Sequence, residues 1–179
     1  MTKTTIPAGI WNIDPSHSTV GFVARHLVIS KVRGSFRSFS GAITIGEQPL
    51  ESSVTASIDM ASVDTSDEGR DGHIKGEDFF DVAKFPTMTF SSTKVSQDGD
   101  DFAVVGDLTI KGVTRSVVLD LEFNGTSKDP WGGTRAGFSA ETEINRKDFG
   151  LEWNVVMETG GILVGEKIKI ELDIQAVQA

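Results

Sequence analysis

The chain has 179 residues, no cysteine and a net charge of −9. That length fits one domain able to bury about 70% of its unfolded surface, and the missing cysteines exclude a disulfide framework, a thiolate nucleophile and cysteine-based zinc or iron–sulfur sites. The 17 Lys+Arg are dispersed rather than gathered into a basic stripe, which excludes nucleic acid as a partner and works against binding to anionic lipid surfaces.

Residues 1–10 read as a lead-in to a single domain over 11–179. They carry Lys3 but lack the apolar run of about seven residues that a signal peptide needs, and no later stretch approaches the roughly 18 apolar residues of a membrane-spanning helix. The expectation is a cytoplasmic protein that is not embedded in a membrane.

The segment Trp11–Phe22, WNIDPSHSTVGF, places Asp14, Ser16, His17 and Ser18 within five positions of one another. These are the residue types of a hydrolytic triad, yet at this spacing bonding to the local backbone costs less. Three uses of His17 stand open: pinning a turn, touching a ligand head group, or catalysis. The last lacks support, because no G-x-S-x-G elbow occurs in the chain.

Period-two alternation then marks strands at Thr19–His26, Phe36–Ile45, Ser53–Ala61, Thr87–Val95, Asp101–Ile110, Ser116–Phe123 and Thr134–Ile144, with a last one over 167–175. It is clearest where Val117, Leu119, Leu121 and Phe123 oppose Ser116, Asp120 and Glu122, and where Ile168, Ile170, Leu172 and Ile174 alternate with charged neighbours. Asp98-Gly99, Lys111-Gly112, Asn124-Gly125 and Gly132-Gly133 supply the positive-φ positions of tight antiparallel turns. Between Thr65 and Asp81 alternation fails, and Gly69, Gly72 and Gly76 limit this loop to one short helix, with Asp71 as its candidate cap. About eight antiparallel strands imply an all-β barrel or sandwich, and closure into a barrel removes exposed edges. A barrel of that size is either filled by side chains or holds one small apolar ligand.

Motifs spread along the chain resemble the YceI family. They are Trp11-x-x-Asp14-x-x-His17-Ser18-x-Val20-x-Phe22, Gly34-x-Phe36-x-x-Phe39-x-Gly41, Asp64-Thr65 with Arg70-Asp71-x-His73, and Asp78-Phe79-Phe80-Asp81-Val82-x-x-Phe85-Pro86. Gly106-x-Leu108-Thr109-Ile110-x-Gly112-Val113-Thr114, Ala136-Gly137-Phe138 and Ile144-Asn145-Arg146-x-Asp148-Phe149-Gly150 complete the set. The resemblance implies a lipocalin-like, extended eight-stranded antiparallel barrel, with one short helix in the 65–81 loop, whose apolar pore holds a polyisoprenoid or a similar long-chain amphiphile.

Alternation and resemblance together nominate Phe22, Val54, Ile58, Met60, Phe90, Leu119, Leu121, Phe123, Phe138, Ile170 and Leu172 as pore-facing. Head-group candidates are His17, Arg25, Arg70, His73, Asn145 and Arg146, with His26, Lys75 and Lys147 beside them. Arg70 or Arg146 would suit a pyrophosphate by bidentate geometry. Each has a structural alternative: a loop-closing cluster for Arg70-Asp71, and an ion pair with Asp148 or another strand-end acid for Arg146. Phe79-Phe80 and Phe85-Pro86 read as a plug at one barrel end or as an exposed docking patch. His17, His26 and His73 lack the i, i+2 or i, i+4 spacing of a metal site, so neither metal nor cofactor is expected.

The expected function is non-catalytic binding, storage or transport of a polyprenyl or quinone-like lipid, with a homodimer left open. Two alternatives stand beside it. One is an enzyme acting on an amphiphile at the barrel mouth, with His17 or His73 as base; the other is a packed barrel serving as a protein-interaction module.

Overall fold

In the computed structural model, which describes residues 6–27, 29–155, 157 and 163–179, the chain forms antiparallel strands around one interior. The elements are β1 (Gly9–Ile13), β2 (Thr19–His26), β3 (Ser30–Phe36), β4 (Phe39–Ile45), β5 (Ser53–Asp59), β6 (Val63–Asp64), α1 (Glu68–Lys75), β7 (Thr87–Asp98), β8 (Asp101–Ile110), β9 (Val113–Lys128), β10 (Thr134–Asn145) and β11 (Val164–Gln178). The order β1-β4-β5-β7-β8-β9-β10-β11 closes on itself, because β1 also pairs with β11 at Trp11↔Gln178 and Ile13↔Ala176. This is an eight-stranded barrel, and closure leaves none of these strands as a free edge.

Three of its walls are strands broken by a kink. β2 continues β1 along β11 after the Pro15–His17 turn, β3 leads into β4 across Arg37-Ser38, and β6 follows β5 after the Met60–Ser62 turn. The predicted strand Phe36–Ile45 is therefore two pieces, with β3 ending at Phe36 and β4 starting at Phe39. β3 escaped the sequence reading because Gly34 interrupts its apolar face. A Cβ there would be driven into the Phe22 ring on β2, the residue opposite it, so the aromatic ring fills the place a side chain would take. The lead-in also belongs to the fold. Gly9 and Ile10 pair with Ile45 and Thr44, Ile6 packs beneath the fully buried Trp11, and the Trp11 indole N–H donates to the Pro7 carbonyl at 3.0 Å.

The two ends of the barrel differ. At one, Phe36, Met60, Val63, Ile110, Ile144, Phe149 and Leu151 are buried together, and Ile74, Phe79, Phe80 and Val82 from α1 and the loop after it pack onto them. The Phe80 ring lies 6.1 Å from that of Phe36, so the Phe79-Phe80 pair plugs this end. Asp67, not Asp71, caps α1 by accepting from the Arg70 backbone N–H at 3.0 Å. Asp71 instead reaches back to the Thr65 backbone N–H at 2.9 Å. Also at this end β9 and β10 part. Their pairing runs from Lys128↔Thr134 to Asp120↔Glu141 and stops, and the turn Arg146–Phe149 spans the seam below.

Candidate functional site

Inside the open half of the barrel lies a cavity of about 710 Å³. It is within the ~300–1,000 Å³ range of small-molecule sites, and on β7 its lining runs from Met88 to Gln97, a span of ~30 Å at ~3.3 Å per residue. Among the predicted pore residues, Val54, Ile58, Phe90, Leu119, Leu121, Phe123, Phe138, Ile170 and Leu172 line it. Phe22 and Met60 do not: Phe22 stacks against Phe36 with rings 5.6 Å apart, Met60 is 1% exposed, and both belong to the plugged end. Sequence reasoning left out Val20, Phe39, Ile43, Met88, Val104 and Leu108, which also line the cavity and share the same inward alternation. Val95 and Gln97 line it despite an odd-even switch after Phe90, because the register shifts between Ser92 and Lys94.

The opening is framed by turns at one end only. Gly46, Glu47, Pro49 and Ser52 contribute from the β4–β5 loop, Gln97 from the end of β7, Asp100 from the β7–β8 turn, and Asn124 and Gly125 from β9. No residue of α1 or of the loop over 76–86 lines the cavity. Among the described residues, Glu47 and Asp100 are the charged ones of the lining, with no Lys, Arg or His.

The predicted head-group residues stand elsewhere. Arg25 and His26 end β2, Arg70, His73 and Lys75 belong to α1, and Asn145, Arg146 and Lys147 form the turn after β10, all at the plugged end. Arg70 closes its own loop, donating through Nε to Thr65 Oγ1 at 2.8 Å and through Nη2 to the Thr65 carbonyl at 2.7 Å. His73 bonds Asp78 at 2.9 Å, its ring edge-on to Phe79 and Trp153. Asn145 accepts from the Lys147 backbone N–H at 3.0 Å, and the Lys147 ammonium pairs with Glu166 at 2.8 Å.

Arg146 is 2% exposed and meets carbonyls rather than an acid. Its guanidinium donates to Gly165 at 2.9 Å, Leu151 at 2.7 Å, Trp153 at 2.9 Å and Val164 at 3.2 Å, and burial lowers its pKa. The expected ion pair with Asp148 is not formed.

His17 lies on the outer wall with its side chain 58% exposed. Its Nδ1 faces both Asp14 Oδ2 and Ser16 Oγ at 3.0 Å, while Ser16 Oγ donates to Asp14 Oδ1 at 2.6 Å. A triad needs the two ring nitrogens to serve the nucleophile and the acid separately. Here one nitrogen meets both, and the cluster braces a turn. Asp14 also accepts from Arg135 at 2.7 Å. That bond, then the one from Ser16, holds its carboxyl well below the usual carboxylate range.

The YceI-like domain model matches residues 11–176. The chain belongs to the YceI family. Protein YceI of Escherichia coli is 44% identical over 137 residues, covering 76% of this chain and 72% of that protein. The crystal structure of the Campylobacter jejuni YCEI protein is similar at TM-score 0.72 and 31% identity, covering 100% of this chain and 99% of the other. A polyisoprenoid binding domain from Saccharophagus degradans, implicated in plant cell wall breakdown, shares the fold at TM-score 0.67 and 17% identity over 97% of this chain and 100% of its own. The YceI motifs of this chain map onto ring closure, the plugged end and the cavity wall: Trp11 at the β1–β11 junction, Arg70-Asp71 at the base of α1, Arg146 with Gly150 in the turn below the seam, and Val20, Phe39, Leu108 and Phe138 in the lining. Its mouth loops carry none of them.

Proposed function

We propose that this protein binds a long-chain isoprenoid-type lipid in the barrel cavity and stores or carries it without transforming it. The observation that carries the reading is the cavity itself, about 710 Å³, apolar along its length and framed by turns at one end. Each buried methylene contributes about 0.8 kcal/mol, so a tail of ten approaches ~8 kcal/mol before the costs of association. The Saccharophagus degradans domain, described as polyisoprenoid binding, supports a polyprenyl or quinone-like tail. An enzyme is disfavoured because His17 faces the outer wall and His73 lies at the plugged end, leaving no His among the cavity-lining residues to act as base.

Native mass spectrometry of freshly purified protein, followed by organic extraction, tests the reading. The expected result is one long-chain lipid per chain, lost in the cavity-filling variant Ala56→Phe while the thermal transition stays cooperative. A clean apo mass that resists loading with polyprenyl compounds overturns it.

A further inference from the structure

Resting on the lipid-carrier reading, we propose that the mouth selects a lipid whose head group carries no negative charge and donates hydrogen bonds, such as an alcohol or an amine, and rejects phosphate and pyrophosphate heads. The orientation of the ligand follows from the plug. A polar head pushed inward would meet Met88, Leu108 and Val117 and the single hydroxyl of Thr142, whereas Glu47, Gln97, Asp100 and Asn124 gather at the mouth, so the head stays at the mouth and the tail points in. There it meets Glu47 and Asp100, and among the described residues no Lys, Arg or His lines the cavity.

The hydrogen-bonding supply at the mouth has the same sign as its charge. Gln97 Nε2 already donates to the Gly99 carbonyl at 3.1 Å, and Asn124 Nδ2 to Ser139 Oγ at 2.9 Å. Ser52 Oγ accepts from the Gly46 backbone N–H at 3.2 Å. Among the described residues, by contrast, the Glu47 and Asp100 carboxylates have no ion partner, and both residues are exposed. The two carboxylates are acceptors that carry charge, while each amide has already spent one of its two N–H groups, so the complementary head donates and carries no negative charge.

Two arginines outside the lining are already engaged. Arg135 is held between Asp14 at 2.7 Å and Asp129 at 3.0 Å. The cleft over the β9–β10 seam, about 320 Å³, includes Arg115, but its Nε donates to the Asp148 carbonyl at 3.1 Å, and Glu143 and Asp148 line the same cleft.

The test holds the tail constant and varies the head. Farnesol, farnesylamine and farnesyl phosphate are titrated into delipidated protein by native mass spectrometry at low salt. Alcohol and amine binding at least tenfold tighter than the phosphate supports the proposal, as does narrowing of that gap to within about threefold in the Glu47→Gln/Asp100→Asn double variant or in high salt. Phosphate binding as tightly as the alcohol overturns it while leaving the carrier reading intact. Binding of none of the three overturns the carrier reading, and the head-group selection with it.

Discussion

Arg135 bridges Asp14 and Asp129, tying the start of β10 to the kink between β1 and β2 and to the β9–β10 turn. The Asp14 pKa is lowered in the folded chain, chiefly by the Arg135 hydrogen bond, so this pair stabilises the fold fully above the unfolded carboxyl pKa of about 3.9 and loses its effect gradually as pH falls from there through the lowered folded pKa. Arg135→Gln should therefore lower the urea midpoint most near pH 7, and the gap from the parent chain should narrow at pH 3 without closing, because the folded carboxyl is still ionised there; urea titrations at both pH values check this. Two other residues act through absent side chains. A Cβ on Gly34 would strike the Phe22 ring and one on Gly106 the Phe90 ring, so each glycine makes room for an aromatic ring from the neighbouring strand. At Gly106 that arrangement holds the Phe90 ring over the β8 backbone, and Phe90 is itself part of the cavity lining.

Where β9 and β10 separate, the turn Arg146–Phe149 takes over from the hydrogen-bond ladder, and Arg146 binds it to the carbonyls of Leu151, Trp153, Val164 and Gly165. Arg146→Met leaves those acceptors without their donor and should cost about 3 kcal/mol, read as a lowered urea midpoint at an unchanged slope. The inward faces of β9 and β11 were legible because a half-buried strand must alternate, and Val117, Leu119, Leu121 and Phe123 do so without interruption. β1, β3 and the break at Arg37-Ser38 were not. β1 is five residues long, β3 has glycine where its middle inward side chain would stand, and the break lies inside an apparently continuous alternation. The site was legible by half. Side-chain alternation identifies the wall, but which barrel end is plugged depends on where α1 and the Arg146 turn fold back, and no local pattern in Arg70, His73 or Arg146 states that. Arg25, Arg70, His73 and Arg146, chosen for their chemistry alone, thus fell at the end away from the mouth, and His17 fell on the outer wall.

Taken whole, the molecule concentrates its packed core at the plugged end and leaves the other half of the barrel lined but unfilled. Empty apolar volume forgoes dispersion contacts that a bound tail restores, so occupancy should be felt as stability. With ligand at a hundredfold its Kd, mass action adds about 2.7 kcal/mol, which for a domain of this size raises Tm by roughly 5–10 °C. Calorimetry of the protein before and after lipid extraction checks this, and an unchanged Tm would mean that nothing occupies the cavity. The ring itself is completed by the strands nearest the two chain ends, β1 and β11. During synthesis, then, the ribosome releases an open trough whose greasy inner side faces water, and no tube exists until β11 has emerged. Such a chain has its longest exposure to chaperones and to membranes just before it closes, which is also when a lipid could be taken in from the side rather than threaded through the mouth.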